Sequence, residues 1–312
     1  MSYSVNVQLK AWAGLARLPF HSVSIMPFIL GIVLAWAQGY QVNWPVAVLS
    51  GVVVLLIMLV TYFSGEYFDF EVDSINKDYN KFSGGSRVLQ TGAINRKSVI
   101  IATYVALAVA AVLGLSIYFI FKTGPFTIPL GIFGAFCGYF YSSKPFQWSY
   151  RGIGEVIIGV CYGWLTVNTG YYLQTGRFDL TASLISIPIA ISIFLVILIN
   201  EFPDYAADKE MGKKNLVVRF GKERMGILAF WLLIACYLSF FLSYFSGVPL
   251  LWLAIFSLIP IDFIIVNAVA IARKRYNDKI ALEAICARMI LINMLITISL
   301  IATFVVNKWI TG

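Results

Sequence analysis

Two stretches of this sequence share one acidic pattern. Glu66, Asp69 and Asp73 stand at positions i, i+3 and i+7, and Glu201, Asp204 and Asp208 repeat that spacing 135 residues later. On a helix such positions fall on one face, so each stretch can aim three carboxylates the same way. Like charges on one face repel, and beside a membrane they call for a counter-cation. A hard divalent ion meets that need, because Mg2+ takes oxygen ligands and joins one or two carboxylates to substrate phosphate oxygens. Two facing clusters would bind a diphosphate through bridging metal ions. A solvated, charged helix end is the plainer reading of either cluster alone. Duplication at equivalent places argues against it, as does the helix dipole, which favours cations at a C-terminus.

Bases follow each cluster. Gly84-Gly85-Ser86-Arg87 comes after the first, and Gly212-Lys213-Lys214, then Arg219, after the second. Glycines let a backbone approach an anion closely, and arginine offers a two-pronged grip on phosphate oxygens. Lys144, preceded by Tyr139 and Tyr141, is either a further phosphate contact or an ordinary lysine at a membrane surface.

The elements that must position these groups are membrane helices. Of the 312 residues, 60% are hydrophobic and 12% charged, and the mean hydropathy is +0.84. Soluble domains carry roughly 25% charge, and disordered chains are poor in aromatics, which here make up 16%. Nine apolar runs are legible, at about 20–38, 45–65, 98–121, 125–143, 153–173, 180–200, 226–246, 249–271 and 286–306. Val5, Leu9, Trp12 and Leu15 recur at helical spacing within residues 1–19, which predicts an amphipathic segment on the membrane surface rather than a cleaved leader. The expectation is one all-α transmembrane domain over residues 1–312.

Charge gives the orientation. Of the 23 Lys and Arg, all but Lys122, Arg177 and Lys308 fall on the side holding the N-terminus and the second, fourth, sixth and eighth connections. The positive-inside rule places that face, with both acidic motifs, in the cytoplasm. The net charge of +8 therefore suits a lipid surface, and no nucleic-acid motif accompanies it. Four scattered cysteines and a lone His21 offer no disulfide framework and no histidine metal site.

The acidic motifs and their flanks resemble the UbiA superfamily of intramembrane prenyltransferases, nearest the branch that acts on 1,4-dihydroxy-2-naphthoate in menaquinone synthesis. Its first signature is matched from Gly65 through Asp73, and its second from Asn200 through Asp208, followed by Gly212-Lys213 and Leu216–Gly221. Arg17, Pro19, Gly85–Gly92, Tyr141–Pro145, Tyr150–Glu155 and Gly170–Gly176 extend the likeness. Gly65 stands where the family usually has Asn, and glutamate replaces aspartate at 66 and 201.

The resemblance implies nine helices around a central cavity capped by cytoplasmic loops. It also implies Mg2+ held by the six acids, with diphosphate held by Arg17, Arg87, Lys144, Lys213 and Lys214. Tyr139, Tyr141 and Asn200 would line the substrate cavity. The implied reaction moves a polyprenyl group from its diphosphate to an aromatic acceptor, with no protein partner called for. Other acceptors of the superfamily (a hydroxybenzoate, a tetrapyrrole, a glycerol-phosphate lipid) stay open. A cation-coupled transporter is the rival of another class. Its best support is Asp262, after Pro260 inside the eighth run, since intramembrane acids are functional by default; the plainer expectation there is a hydrogen bond within the bundle, to Asn267 or to a carbonyl freed by Pro260.

Overall fold

A computed structural model describes residues 5–311. The first four positions of the expected surface segment lie outside the described residues. Among the described residues every regular element is helical: α1 (Val5–Leu15), α2 (Ser22–Ala37), α3 (Trp44–Phe68), α4 (Phe70–Ile75), α5 (Arg96–Phe121), α6 (Thr127–Phe140), α7 (Gly154–Gly159), α8 (Thr166–Thr175), α9 (Leu180–Glu210), α10 (Leu216–Ser239), α11 (Leu250–Ala272) and α12 (Lys279–Thr311).

Caps written in the sequence start several of these helices. The side chains of Asn43, Asn95, Asp179 and Asn215 accept hydrogen bonds from the backbone N–H groups of Val46, Ser98, Thr181 and Val218, satisfying donors that a first turn leaves orphaned. Arg17, in the left-handed region at φ 48°, turns the chain between α1 and α2. Ala11 and Leu15 of α1 are buried against Phe63, Leu89 and Val99, while Leu9 stays exposed.

Among the described residues, seven helical stretches are long and apolar enough to cross a membrane: Asn6–Ala37, Trp44–Phe68, Arg96–Phe121, Leu180–Glu210, Leu216–Ser246, Leu250–Ala272 and Lys279–Ile310. The other two expected runs fall on α6, of 14 residues, and on Gly154–Thr175, where a π-helical turn at Val160–Leu165 separates α7 from α8. Helices α2 and α8 cross where Gly31 meets Gly170. A Cβ on Gly31 would lie 2.0 Å from the Val167 carbonyl, and one on Gly170 2.1 Å from that of Phe28. Small residues of this kind let membrane helices touch backbone to backbone.

Two expectations need correction. Asp262 lies on the exposed face of α11 and does not bond Asn267. That buried amide donates to the Ile285 carbonyl and accepts from Arg288 Nε at 2.6 Å. The first acidic motif does not lie on one helix either: α3 ends at Phe68, and Asp69 is the junction residue before α4, with no capping bond from its side chain. The second motif runs unbroken along α9 in spite of Pro203. Pro203 has no N–H for the carbonyl of Ile199, and the Cys286 thiol donates to that carbonyl at 3.9 Å.

Candidate active site

Glu66, Asp69, Asp73, Glu201, Asp204 and Asp208 all line one cavity of about 200 Å³. It opens where the acidic ends of α3, α4 and α9 meet the loop at residues 82–85. Arg17, Lys213, Asn200 and Tyr141 join its wall.

Each acid is held differently. Glu66, 3% exposed, accepts from the backbone N–H of Ser86 at 2.6 Å, from the Ser86 hydroxyl at 2.8 Å and from Arg17 at 3.2 Å. Asp69 accepts from Ser142 Oγ at 2.7 Å. Asp204 accepts from Asn76 Nδ2 at 2.6 Å and from the Gly84 N–H at 3.4 Å. Asp208 accepts from Asn215 Nδ2 at 2.7 Å. Glu201 Oε2 and Asn200 Oδ1 are buried without a hydrogen-bond partner among the described residues.

Lys213 joins the two motifs. Its ammonium lies 3.3 Å from both Asp69 Oδ1 and Asp208 Oδ1 and 4.7 Å from the centre of the Tyr150 ring. Burial works against this charge, but Asp69 and Asp208 outweigh it and hold the lysine pKa well above its ordinary value. On α4, burial and the nearby Asp69, Glu66 and Asp204 carboxylates push the Asp73 carboxyl well above the usual aspartate range, against the pull of Lys213. The site thus concentrates negative charge that one lysine and one arginine only partly offset.

Its donor set suits a hard divalent cation, since it consists of carboxylate oxygens and includes the unpartnered Glu201 oxygen. As the side chains lie, no three His, Cys, Asp or Glu among the described residues are gathered closely enough to grip a metal ion. Lys213 bridges Asp69 and Asp208, two of the carboxylates such an ion would recruit.

The predicted phosphate contacts divide. Arg17 and Lys213 face the cavity. Arg87 is not in its lining; its guanidinium donates to the backbone carbonyl of Asp73 and stacks 4.3 Å from the Tyr79 ring centre. Lys144 and Lys214 are exposed and likewise outside the lining. Tyr139 also lies elsewhere, paired with the Tyr104 hydroxyl at 3.0 Å and packed edge-on to Phe68. Asn76, Ser86, Ser142 and Asn215 orient the acids, a role not assigned to them from sequence, although Ser86 and Ser142 fall within Gly85–Gly92 and Tyr141–Pro145. No spacing rule marks them, because each acts from a separate loop or helix end.

The loop over the cavity depends on two glycines. Gly84 and Gly85 have φ of 70° and 72°, a region costly for residues with a Cβ. A Cβ on Gly85 would sit 2.4 Å from Asp73 Oδ2, and one on Gly84 2.4 Å from Tyr79 Cβ.

A second, apolar chamber of about 100 Å³ adjoins the first, and Thr61, Ile158 and Tyr162 line both. It runs among α3, α5, α6 and the π-helical turn, past Val54, Met58, Ile117 and Leu165. Gly114 and Gly131 face open space there, and a Cβ on either would meet nothing within 4 Å.

Residues 24–306 match the UbiA prenyltransferase family. The chain is 28% identical to the 1,4-dihydroxy-2-naphthoate octaprenyltransferase of Bacillus subtilis, over 64% of this chain and 62% of the relative, so it spans under two thirds of that protein's length. It is also 28% identical to the enzyme of that name from Haemophilus influenzae, over 76% of this chain and 78% of the other. The structure of a UbiA homolog from Archaeoglobus fulgidus bound to GPP and Mg2+ shares the fold, with a TM-score of 0.64 at 16% identity over 94% of this chain and 99% of that one.

Proposed function

The chain belongs to the UbiA prenyltransferase family, and from that premise we propose that it transfers a polyprenyl group from a polyprenyl diphosphate to 1,4-dihydroxy-2-naphthoate. The observation that carries this reading is an acid-lined cavity beside an apolar chamber, with Thr61, Ile158 and Tyr162 lining both. A diphosphate head suits the first space and an isoprenoid tail the second. The relatives from Bacillus and Haemophilus bear the name of this activity, which supports the choice of acceptor.

Asp69, Asp73, Glu201, Asp204 and Asp208 would hold Mg2+, with Glu66 fixing Ser86 and Arg17 beside them. Bound there, the ion supplies positive charge that neutralises the diphosphate and eases its departure. The allylic C–O bond breaks with its electron pair leaving on the diphosphate. Arg17 and Lys213 take up part of that charge. Tyr62, Tyr141 and Tyr162 line the cavity, and aromatic rings there would stabilise the allylic cation through their quadrupoles. The naphthoate ring then forms the new C–C bond and loses a proton. Apolar walls keep water from the cation.

The domain is one unit of nine membrane-crossing segments, α6 and Gly154–Thr175 being the two short or broken ones. Its N-terminus and acid-lined cavity face the cytoplasm, as the distribution of Lys and Arg supports.

The test is purified protein in lipid nanodiscs with one labelled polyprenyl diphosphate and a panel of acceptors. Prenylated naphthoate, formed with Mg2+ and lost in EDTA, is the expected product. Product on a hydroxybenzoate or a glycerol-phosphate acceptor alone would reassign the acceptor, and no product on any acceptor would defeat the reading.

A further inference from the structure

Away from the acid cavity, an open recess of about 340 Å³ lies between the end of α11 and the start of α12. Arg273, Arg275 and Arg288 converge on it, over a floor that includes Val269, Ala281 and Ala284. Three guanidinium groups around one recess repel one another unless an anion joins them.

The protein supplies none. Nearby acids are engaged elsewhere: Glu223 pairs with Lys274, Asp78 with Lys279 at 2.6 Å and Glu283 with Lys81 at 3.2 Å, while Asp278 accepts from the Ala281 N–H at 2.8 Å. None of the ion pairs among the described residues involves Arg273, Arg275 or Arg288. Arg288 is nevertheless fixed in place. Asn267, 0% exposed, accepts its Nε–H at 2.6 Å, and no other side-chain hydrogen bond of Arg288 is formed among the described residues.

The surroundings indicate the kind of anion. The recess sits where two apolar helices reach the membrane surface, and Ile280 beside it is 84% exposed, an apolar side chain suited to lipid rather than water. Basic pockets between membrane helices at this level hold lipid phosphates, and the planar arginine fork matches phosphate oxygens. We propose that Arg273, Arg275 and Arg288 form a binding site for the phosphodiester headgroup of an anionic phospholipid, with the apolar floor meeting the start of its acyl chains. The shared chemistry is a phosphate group, so the test must separate a lipid from a soluble phosphate.

Full-length protein in a zwitterionic detergent would be titrated with phosphatidylglycerol, phosphatidylcholine or inorganic phosphate. Thermal unfolding and lipid retention in native mass spectrometry would be followed. Phosphatidylglycerol alone should raise the Tm and remain bound. Replacing all three arginines by glutamine should weaken its apparent affinity at least ~10-fold, which is the loss of one or more charge-assisted contacts. Arg224→Gln, at an exposed arginine of α10, should change nothing. If the triple variant does not fold, Arg273→Gln and Arg275→Gln, each made singly at an exposed position, should each weaken binding. Equal protection by phosphatidylcholine would overturn the site, as would unchanged affinity in the arginine variants. Protection by inorganic phosphate that competes with the lipid would reassign it to a soluble anion.

Discussion

The ammonium of Lys213 lies 3.3 Å from Asp69, although Asp69 belongs to the first acidic motif and Lys213 follows the second, in the opposite half of the chain. The same ammonium reaches Asp208 at 3.3 Å. One lysine thus balances a carboxylate from each motif, in the region where the proposed metal ion and diphosphate must also fit.

That relationship predicts how Lys213 and Mg2+ will trade. Lys213→Met removes the cation from a buried cluster, and breaking such a pair costs about 3–5 kcal/mol. The variant should therefore unfold at a clearly lower temperature in EDTA. Mg2+ should restore more stability to it than to the unaltered protein, because the ion can compensate the same carboxylates. Turnover should stay low even with Mg2+, since the diphosphate loses a charged contact. Equal Mg2+ stabilisation of both proteins would show that metal and lysine do not share the acids.

The acids themselves should separate binding from stability. Asp204→Asn and Asp208→Asn keep the volume and the contacts to Asn76 and Asn215 while removing charge that Mg2+ needs. Both variants should lose the Tm rise on adding Mg2+ and fall in turnover by roughly a hundredfold or more, the scale of about 3 kcal/mol of lost transition-state stabilisation. A variant with normal turnover and a normal Mg2+ response would remove that residue from the metal site.

The six acids were legible as candidates because carboxylates at helical spacing are few in so apolar a chain, and all six line one cavity. The break at Asp69 was not legible, since nothing in Glu66–Asp73 is a helix breaker. Arg87 lies outside the cavity lining. It donates to the carbonyl of Asp73, which also accepts from the Asn76 N–H at 3.2 Å, at the end of α4, where the helix dipole favours a cation. Lys213 and Lys214 are adjacent, yet one is buried against Asp69 and Asp208 and the other faces outward. Which neighbour turns inward depends on the chain path after α9, and spacing does not encode it. The helical runs were plain from hydropathy, whereas the π-helical turn at Val160–Leu165 has no signature of its own.

Arginine exchange should now divide differently from what the sequence alone suggests. Arg17→Lys should raise KM for the polyprenyl diphosphate, because Arg17 lines the cavity beside Glu66 and lysine lacks its fork. Arg87→Lys should mainly loosen the loop, seen as faster hydrogen exchange over residues 82–90, with a smaller effect on KM. A larger KM change at Arg87 than at Arg17 would restore Arg87 as the diphosphate contact.

Two glycines with nearly equal backbone angles test the loop over the acids. Gly85 has φ 72° and Gly92 φ 71°, so alanine at either position carries a similar backbone penalty, about 1–2 kcal/mol. Only at Gly85 would the new methyl group collide with Asp73 Oδ2, 2.4 Å away; around Gly92 nothing lies within 4 Å. Both variants should lose comparable stability, yet Gly85→Ala should also lose most turnover and the Mg2+-dependent rise in Tm. Gly92→Ala should keep both, and equal loss of turnover in the two would mean that strain, not displacement of Asp73, is what the loop cannot tolerate.

The apolar chamber makes the last prediction. Gly131 on α6 borders it, and a Cβ there would meet nothing within 4 Å, so a larger side chain can enter the space without displacing the helix. Gly131→Phe should fill much of the roughly 100 Å³ and leave the acid cavity untouched. If the isoprenoid tail occupies this chamber, long polyprenyl diphosphates should lose kcat/KM more than short ones, because each excluded isoprene unit forfeits apolar burial worth about 0.8 kcal/mol per CH2 group. The Mg2+-dependent Tm rise should stay as in the unaltered protein, which separates a blocked tail from a damaged head site. A uniform loss across chain lengths would place the tail elsewhere, and selectivity for short chains would fix both its path and the wall that ends it.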